Sequence, residues 1–247
     1  VSNPGGLAVV WAEENRRDAI FEAMRSRETY ATSGTRPIVR FFAGDYDENL
    51  CEATDALEQA YSAGVPMGGV LQRTDADAPP RFFISAQRDQ GTDMHPANPL
   101  ERIQIIKGWV DDSGATHERV VDVLGEETVG LGVDMNSCAA TAPGHANLCT
   151  VWEDPSYVKG ESAFYYARVL ETPSCRWSTL QCQAAGVNPL SDSCSVQAEK
   201  ANLLANDNGD SGDIYGVCCT NPDTDPFYSP TIRERAWTSP IWLSTTR

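Results

Sequence analysis

The 247-residue sequence is poor in basic residues and in histidine. It carries 19 Lys and Arg against 35 Asp and Glu, has a formal net charge of −16, and contains three histidines. No stripe of Lys and Arg interrupts this acidity, so the protein would repel the phosphates of nucleic acids and of anionic lipids. We therefore expect no nucleic-acid partner. The acidity itself favours solubility and the attraction of cations.

Long apolar runs and familiar catalytic motifs are also missing. No apolar run approaches the roughly 20 residues that a membrane-spanning helix needs, which predicts no membrane span. There is no GxSxG elbow, P-loop or dinucleotide fingerprint. The sequence begins at Val1 without a Met or a signal peptide, so we expect a chain that is processed, truncated or part of a longer protein.

Cysteine is plentiful, but it is not arranged in the CxxC pairs of zinc knuckles. An even number and an irregular spacing favour disulfides over metal thiolates. Disulfides predict an oxidising location, periplasmic or extracellular. Cys138–Cys149 is the first pairing to expect, because it closes a short loop with Gly and Pro, whereas two adjacent cysteines are expected to have separate partners. The eight cysteines are Cys51, Cys138, Cys149, Cys175, Cys182, Cys194, Cys218 and Cys219.

The first 36 residues are typical of one strand and one helix. The run Leu7–Trp11 is continuously apolar, as in a strand buried on both faces, and apolar residues recur at helical spacing over Ala19–Met24. Such a strand needs parallel neighbours, and none is evident downstream. We expect these neighbours to precede Val1. We also expect a partner against residues 7–28, either the missing half of a barrel or another protein chain.

After Pro37 the apolar period changes from helical to alternating. Short strands separated by turn residues predict a β-sandwich over residues 37–247, with a short helix at Leu57–Tyr61. Residues 181–229 lack periodicity and are predicted to be a long irregular insertion held by disulfides. The predicted strands are Ile38–Ala43, Gly69–Gln72, Arg81–Ala86, Arg102–Trp109, Arg119–Leu124, Phe164–Leu170 and Trp237–Leu243.

Eight stretches, in order along nearly the whole chain, carry a resemblance to one family. They are Gly5–Asn15, Ala19–Met24, Arg27–Gly34, Gly64–Gly69, Arg102–Trp109, Phe164–Glu171, Cys175–Ser178 and Glu234–Trp242. Together they resemble the bacterial domain-of-unknown-function family thirty-six-oh-four. That family is similar to the PHP (polymerase and histidinol phosphatase) metal-dependent phosphoesterases.

The resemblance implies an architecture and a chemistry. Full-length members begin with a distorted β/α barrel that carries His, Asp and Glu metal ligands, and residues 1–36 resemble its last strand and helix. The implied chemistry is hydrolysis of a phosphate-type or sulfate-type ester by water activated on Zn, Mn or Fe. His95, His117 and His145 are not spaced as HxH, HxxxH or HxD. The metals are therefore expected only in the missing N-terminal half, and this chain alone is expected to be inactive.

Five residues are candidates for the edge of a substrate pocket. Glu13 and Glu14 follow a barrel-type strand, and the carboxyl ends of such strands line active sites; alternatively they favour the dipole of the next helix. Tyr30, Ser33 and Arg36 supply hydroxyls and a guanidinium that suit an anionic ester. The alternative for these three is a polar linker. No catalytic residue is assigned.

An acidic stretch near the C-terminus resembles a calcium loop. Asp207, Asn208, Asp210 and Asp213 could supply the hard oxygen ligands that calcium prefers. Ser211 stands where an EF-hand requires Gly, and no helices are predicted to flank the loop. A plain acidic turn is the alternative.

The sequence thus predicts a mainly β protein. A β-sandwich-like domain over residues 37–247 would follow one βα unit, left over from a PHP-type barrel, over residues 1–36. The expected function is that of the C-terminal part of a secreted or periplasmic metal-dependent ester hydrolase, in which this segment supplies scaffold and pocket edge. The alternative is a non-catalytic extracellular β-module for structural assembly or protein interaction.

Overall fold

The computed structural model describes residues 5–73, 78–92, 97–130, 132–141, 143–207, 212–220, 225 and 228–244. Strands predominate in these residues, as predicted. The strands are β1 (Leu7–Val10), β2 (Thr29–Thr32), β3 (Ile38–Gly44), β4 (Gly64–Pro66), β5 (Val70–Gln72), β6 (Arg81–Gln87), β7 (Leu100–Val110), β8 (Thr116–Gly125), β9 (Asn147–Glu153), β10 (Ala163–Glu171), β11 (Ser174–Cys175), β12 (Thr231–Ile232), β13 (Arg235–Thr238) and β14 (Ile241–Ser244). The helices are α1 (Arg17–Arg25), α2 (Ala56–Ala63), α3 (Trp177–Ala184) and α4 (Cys194–Asp207), and 3₁₀ turns lie at Leu50–Glu52 and Gly216–Cys219.

The strand β10 lies at the centre of the larger sheet. One of its edges pairs with β7, and its other edge pairs with β14 and then with β13. The sheet continues from β13 to β2 and β1, from β14 to β5, and from β7 to β8. Among the described pairings of this sheet, only that of β14 with β5 is parallel.

The predicted strand Trp237–Leu243 is present, but it is interrupted. β13 and β14 follow one another along the same edge of β10, and Ser239 and Pro240 separate them. Pro240 has no N–H to donate to the ladder, so regular pairing resumes at Ile241. The other predicted strands are confirmed to within a few residues, whereas β2, β4, β9, β11 and β12 were not predicted.

The smaller sheet contains β4, β3, β6 and β9 in that order and shares a core with the larger one. Val39, Phe41 and Ala43 alternate along β3 and join the hydrophobic cluster that contains Tyr165 and Val169 of β10. This alternation is the period of two that marks a strand with one buried face. Burying a large apolar side chain stabilises the fold by roughly 1.5–3 kcal/mol, so this shared cluster is the main apolar contribution.

The other face of the smaller sheet has a cluster of its own. It is formed by Phe42, Tyr46, Leu50, Ala60 and Phe83, so α2 and the 3₁₀ turn cover this face. The Tyr46 hydroxyl donates a hydrogen bond of 3.0 Å to the Ala60 carbonyl. The disulfide Cys51–Cys149 ties the 3₁₀ turn to β9.

A second compact unit consists of the described parts of Thr128–Pro143 and Thr172–Arg233. Three of the six buried residues in its main cluster are cysteines: Cys182, Val187, Cys194, Ala198, Ala201 and Cys218. Its disulfides are Cys138–Cys175, Cys182–Cys218 and Cys194–Cys219. The adjacent Cys218 and Cys219 therefore have separate partners, as predicted. Because so small an apolar core contributes little, we infer that these cross-links hold the unit together.

The prediction of an irregular insertion over residues 181–229 is wrong, because the segment contains helices. The prediction that disulfides hold the segment is confirmed. Half of α3 and all of α4 lie within it, and α4 is 14 residues long. The helix escaped prediction because its sequence shows only a weak apolar stripe. One disulfide, Cys194–Cys219, and the small residues Ala198 and Ala201 form its inner face, where a more typical helix would have large aliphatic side chains.

All eight cysteines are paired, which confirms the prediction of disulfides. The expected Cys138–Cys149 pair is wrong, because Cys138 bonds to Cys175 and Cys149 bonds to Cys51. A short loop between two cysteines lowers the entropic cost of their pairing, but Cys149 lies in β9 on the face covered by α2, where it bonds to Cys51.

The first strand and helix were predicted correctly in position. β1 pairs antiparallel with β2, and within this chain it is only partly buried, so its burial by neighbours before Val1 stays a prediction. β2 occupies Thr29–Thr32, where the sequence predicted no strand. The parallel neighbours before Val1 and the domain boundary at residue 36 stay predictions. The described residues up to 127 lie in one compact unit, together with Gly144–Glu171 and the described part of Glu234–Arg247.

Removing the longest-range disulfide should destabilise the protein more than removing the shortest. Cys51 and Cys149 are 98 residues apart, and Cys194 and Cys219 are 25 apart. On the chain-entropy model, the double Ser variant of the first pair should lose about 4–5 kcal/mol of unfolding free energy, and that of the second about 3–4 kcal/mol. Guanidinium unfolding with the remaining disulfides intact measures both losses. A reversed order would contradict the chain-entropy account.

Candidate functional site

A cavity of about 390 Å³ lies at the carboxyl end of β1. We call it the Arg40 cavity, and it is lined by Trp11, Ala12, Glu13, Glu28, Arg40 and Tyr61. The Trp11 amide donates to the Glu28 carbonyl at 2.9 Å, which extends the β1–β2 pairing and sets these two side chains beside each other. Arg40 comes from β3 and Tyr61 from α2.

The Arg40 guanidinium is held in place from two directions. Its central carbon lies 3.2 Å from the centroid of the Trp11 indole ring, and the indole N–H donates to the Val39 carbonyl at 3.0 Å. Arg40 Nη1 donates to the Tyr61 hydroxyl at 3.0 Å and lies 3.6 Å from Glu28 Oε1. A guanidinium stacked on an indole and steered by two oxygens is pre-organised for recognising an anion.

Tyr61 links the cation of the cavity to its carboxylate. Its hydroxyl accepts from Arg40 and donates to Glu28 Oε1. Burial raises the pKa of Tyr61 to about 12, and the hydrogen bond to Glu28 and the charge of that carboxylate act in the same direction. The phenol therefore keeps its proton at neutral pH. The described polar contacts of Arg40 both use Nη1.

Of the predicted pocket residues, only Glu13 lines this cavity. Glu14 is exposed and pairs with Arg16 at 3.4 Å. Tyr30 is buried, its ring centroid lies 6.1 Å from that of Trp11, and its hydroxyl donates to the Pro37 carbonyl at 2.9 Å. Burial raises the pKa of Tyr30. Tyr30 therefore supports the wall of the cavity from the core.

The turn between β2 and β3 holds the other two predicted residues at a different place. Ser33 Oγ donates to Glu234 Oε2 and accepts from the Arg235 amide at 2.8 Å. The Arg36 amide donates to Asp89 Oδ2 at 2.9 Å, and the Arg36 side chain is exposed. The hydroxyl of Ser33 is thus committed to the sheet. The Arg36 guanidinium is not part of the Arg40 cavity.

Near this turn lies a carboxylate that the sequence reading missed. Glu171 ends β10 and is 1% exposed. Its Oε2 accepts from Asn98 Nδ2 at 3.3 Å. Thr35 lies close enough to lower the pKa of Glu171, yet neither Thr35 Oγ1 nor Glu171 Oε1 meets the geometry of a hydrogen bond, so this contact is loose. The signal available in the sequence was a glutamate at the end of the strongest apolar run.

Burial raises the pKa of Glu171 to about 7. The charges of Glu234 and Asp89 act in the same direction, against the opposing contacts with Thr35 and Asn98. A carboxyl group that shares its surroundings with two other carboxylates is more stable when protonated. Such groups cluster at functional sites, although structural networks produce them as well.

The predicted calcium loop falls largely outside the described residues. This applies to Asn208, Asp210 and the side chain of Asp207. Asp213 is described, and its Oδ1 accepts from Asn202 Nδ2 and from the Gly216 amide, each at 2.7 Å. These contacts give Asp213 a local role in fixing the turn before Gly216–Cys219.

The metal centre implied by the family resemblance does not fit the residues that the structure describes. Those residues contain no group of three or more His, Cys, Asp or Glu side chains that could hold a metal ion. His117 bonds to Asp111, and the His145 backbone pairs with Leu100. His95 lies outside the described residues. We therefore derive no catalytic step through a metal for this chain.

The chain is a mainly β protein that four disulfides cross-link. The disulfides are consistent with an oxidising compartment. No helix among the described residues has the length and apolar character needed to cross a membrane.

A family profile described as "Protein of unknown function (DUF3604)" matches residues 1–202. The match covers most of the 247 residues, so the chain belongs to this family, as the eight sequence blocks predicted. Searches of curated proteins and of solved structures give no match.

Glu171 should make the protein less stable as the pH rises from about 4.5 to about 7. Its pKa is higher in the folded protein than its ordinary value of 4.5, so the folded state holds the proton more tightly than the unfolded state over this window. Stability is then lost as pH increases, by roughly 3 kcal/mol in all. The variant Glu171→Gln should lack this loss.

Urea unfolding of the wild type and of Glu171→Gln at pH 4.5 and pH 8 measures the difference. The exposed Glu58→Gln serves as the matched control and should follow the wild type. Parallel pH dependences of the wild type and Glu171→Gln would show that Glu171 is not protonated in the folded protein near neutral pH.

Proposed function

We propose that this chain is the C-terminal part of a secreted or periplasmic metal-dependent hydrolase of phosphate-type or sulfate-type esters. In this proposal the chain supplies scaffold and one edge of the substrate pocket, and the metal ligands belong to protein outside it. The observation that carries the proposal is the Arg40 guanidinium, stacked on Trp11 within the Arg40 cavity.

The chemistry of Arg40 suits a tetrahedral anionic ester. A guanidinium presents parallel N–H groups that match two oxygens of such an anion, and it stays charged at every physiological pH. Stacking on the indole restricts its rotation, so little further order is lost when a ligand binds. Its side chain is 19% exposed, which keeps it accessible to a small ligand.

The acidic groups of the cavity limit what Arg40 can do alone. Glu28 lies 3.6 Å from Nη1, and Glu13 also lines the cavity, so the positive charge is already partly balanced. An anion held here would need further positive charge nearby. This is why we propose an edge of a pocket that metals complete, and not a self-sufficient anion site.

The finer architecture belongs to the same proposal. It is a β-sandwich preceded by the last βα unit of a PHP-type barrel. Phe21 and Met24 of α1 are 59% and 58% exposed, which is unusual for large apolar side chains on a short amphipathic helix. We propose that the barrel half of the same protein covers residues 7–28.

A non-catalytic extracellular β-module is the second candidate. Two observations favour it: the four disulfides, and the absence, among the residues that the structure describes, of any group of three or more His, Cys, Asp or Glu side chains that could hold a metal ion. This candidate predicts that the full-length gene product hydrolyses none of the phosphate or sulfate esters. The two candidates therefore differ in one assay.

The assay is metal-dependent hydrolysis by the full-length gene product. Release of p-nitrophenol from p-nitrophenyl phosphate, bis-p-nitrophenyl phosphate and p-nitrophenyl sulfate would be measured with Mn, Zn and Fe, and again after chelation. Turnover that requires the metal is expected with at least one ester. Absence of turnover with all of them would contradict the hydrolase proposal and favour the β-module.

Arg40→Ala should lower kcat/KM by about 10- to 100-fold, because a hydrogen bond to a charged group contributes roughly 1.5–3 kcal/mol. Arg40→Lys keeps the charge but loses the planar stack, so we expect it to recover only part of the activity. Arg119→Ala is the control, since the Arg119 side chain is exposed on β8, outside both the Arg40 cavity and residues 7–28. Circular dichroism would establish that the variants are folded. Full activity in folded Arg40→Ala would remove Arg40 from the pocket.

A further inference from the structure

A second and larger concavity lies on the larger sheet. It has a volume of about 870 Å³ and opens to solvent, and we call it the aromatic groove. This volume lies within the range of small-molecule sites in proteins. Its lining combines three aromatic side chains, a few aliphatic ones and several hydroxyls: Val70, Gly108, Trp109, Val110, Thr116, His117, Glu118, Ser162, Ala163, Phe164, Trp242, Leu243 and Ser244.

The floor of the groove is a row of residues directly opposite one another on neighbouring strands. Val70 of β5 is opposite Trp242 of β14, which is opposite Phe164 of β10. Phe164 is opposite Gly108 of β7, and Gly108 is opposite Glu118 of β8. Residues in register on adjacent strands point to the same face of a sheet. Five strands thus place these side chains on one surface.

Gly108 allows an aromatic ring to extend across this floor. A Cβ atom at residue 108 would lie 2.2 Å from Cζ of Phe164, closer than any side chain could tolerate. The Phe164 ring therefore occupies the space that a side chain at residue 108 would fill. Phe164 is 36% exposed and Val70 is 42% exposed, so apolar surface of the floor faces solvent.

The aromatic and imidazole rings at the two ends of the groove are fixed by other contacts. The Arg27 guanidinium lies 5.0 Å from the Trp242 ring centroid. At the other end, the His117 imidazole stacks on Trp109 with centroids 5.1 Å apart and planes 19° apart. Nε2 of His117 is 2.7 Å from Asp111 Oδ2. Hydrogen bonds from Ser113 and His117 lower the pKa of Asp111, so its charge persists to steady the imidazole.

The chemistry of the lining selects a class of ligand. None of the described residues that line the groove is Lys or Arg, and Glu118 lies among the lining residues. The Arg27 guanidinium beside Trp242 donates to the Gly68 carbonyl at 3.1 Å and is not part of the lining, so the lining itself favours a neutral ligand over an anion. Rigid aromatic faces suit a ligand with flat apolar faces, and hydroxyl, imidazole and carboxylate groups at the rim suit one with many hydroxyls. Pyranose rings combine both properties, because their C–H bonds form apolar faces and their hydroxyls project from the edges.

We propose that the aromatic groove binds a neutral oligosaccharide, with sugar rings lying on Trp242 and Phe164 and with hydroxyls bonded to Glu118, which belongs to the same row of the floor. This goes beyond the proposed hydrolase function, since it concerns a different surface, an uncharged ligand and no chemical step. The open shape and the row of five strands suit an extended chain of sugars better than a single compact ligand.

The test is a binding titration of the full-length gene product with cellohexaose, xylohexaose and mannohexaose. Tryptophan fluorescence and isothermal calorimetry report binding, and the hexamer of galacturonic acid serves as the anionic probe. We expect saturable binding of at least one neutral hexasaccharide and none of the anionic one. Trp242→Ala and Phe164→Ala should each weaken binding by about fivefold to tenfold.

Two further variants separate loss of a contact from loss of the fold. Trp242→Phe keeps an aromatic face and should retain most of the affinity, whereas Trp177→Ala removes a tryptophan that is 46% exposed outside the groove and should change nothing. No binding of any neutral hexasaccharide would overturn the proposal. Binding that folded Trp242→Ala and Phe164→Ala retain in full would overturn it as well, as would binding only of the apolar dye ANS.

Discussion

The structure depends on the hydrogen-bonded ladder of β10. This strand pairs with β7 along one edge and with β13 and β14 along the other, so its nine residues order most of the larger sheet. Tyr165, Ala167 and Val169 point into the core shared with the smaller sheet. The two ends of the same strand serve other surfaces, since Phe164 enters the aromatic groove and Glu171 carries the buried carboxyl group.

One charged network is buried beside this ladder. Lys107 Nζ lies 3.0 Å from Asp154 Oδ2 and 3.3 Å from Glu161 Oε1, and it donates to the Ser156 carbonyl at 3.1 Å. Tyr165 donates to Asp154 at 2.9 Å. Lys107 and Asp154 are almost fully buried, so both must be satisfied at once. Such a network adds little net stability, but it disfavours any other register of β7 against β10, because a slip would leave a buried charge unpaired.

The candidate sites could be predicted only where a residue's position along the chain was enough to place it. Glu13 was predicted at a substrate-pocket edge from its position after β1; it lines the Arg40 cavity, whose role in binding substrate stays a prediction. Arg40, Glu28 and Tyr61 were missed, because each belongs to a different element and only tertiary packing brings them onto Trp11. Glu171 entered the sequence analysis only as the end of the stretch Phe164–Glu171. It was not predicted to titrate near neutral pH, because its raised pKa results from burial, which the sequence does not show.

What the sequence determined by itself was local. The alternation of apolar residues gives β3, β6, β7 and β10, Pro240 interrupts the last strand, and eight cysteines imply disulfides, because strand period, the missing N–H of proline and thiol chemistry are properties of short segments. Only the tertiary structure decided which cysteines, strands and side chains contact one another. It joined Cys149 to Cys51 and paired β1 antiparallel with β2. It also laid Trp242 beside Phe164. These contacts join distant segments, and their free energy depends on the packing of the whole fold.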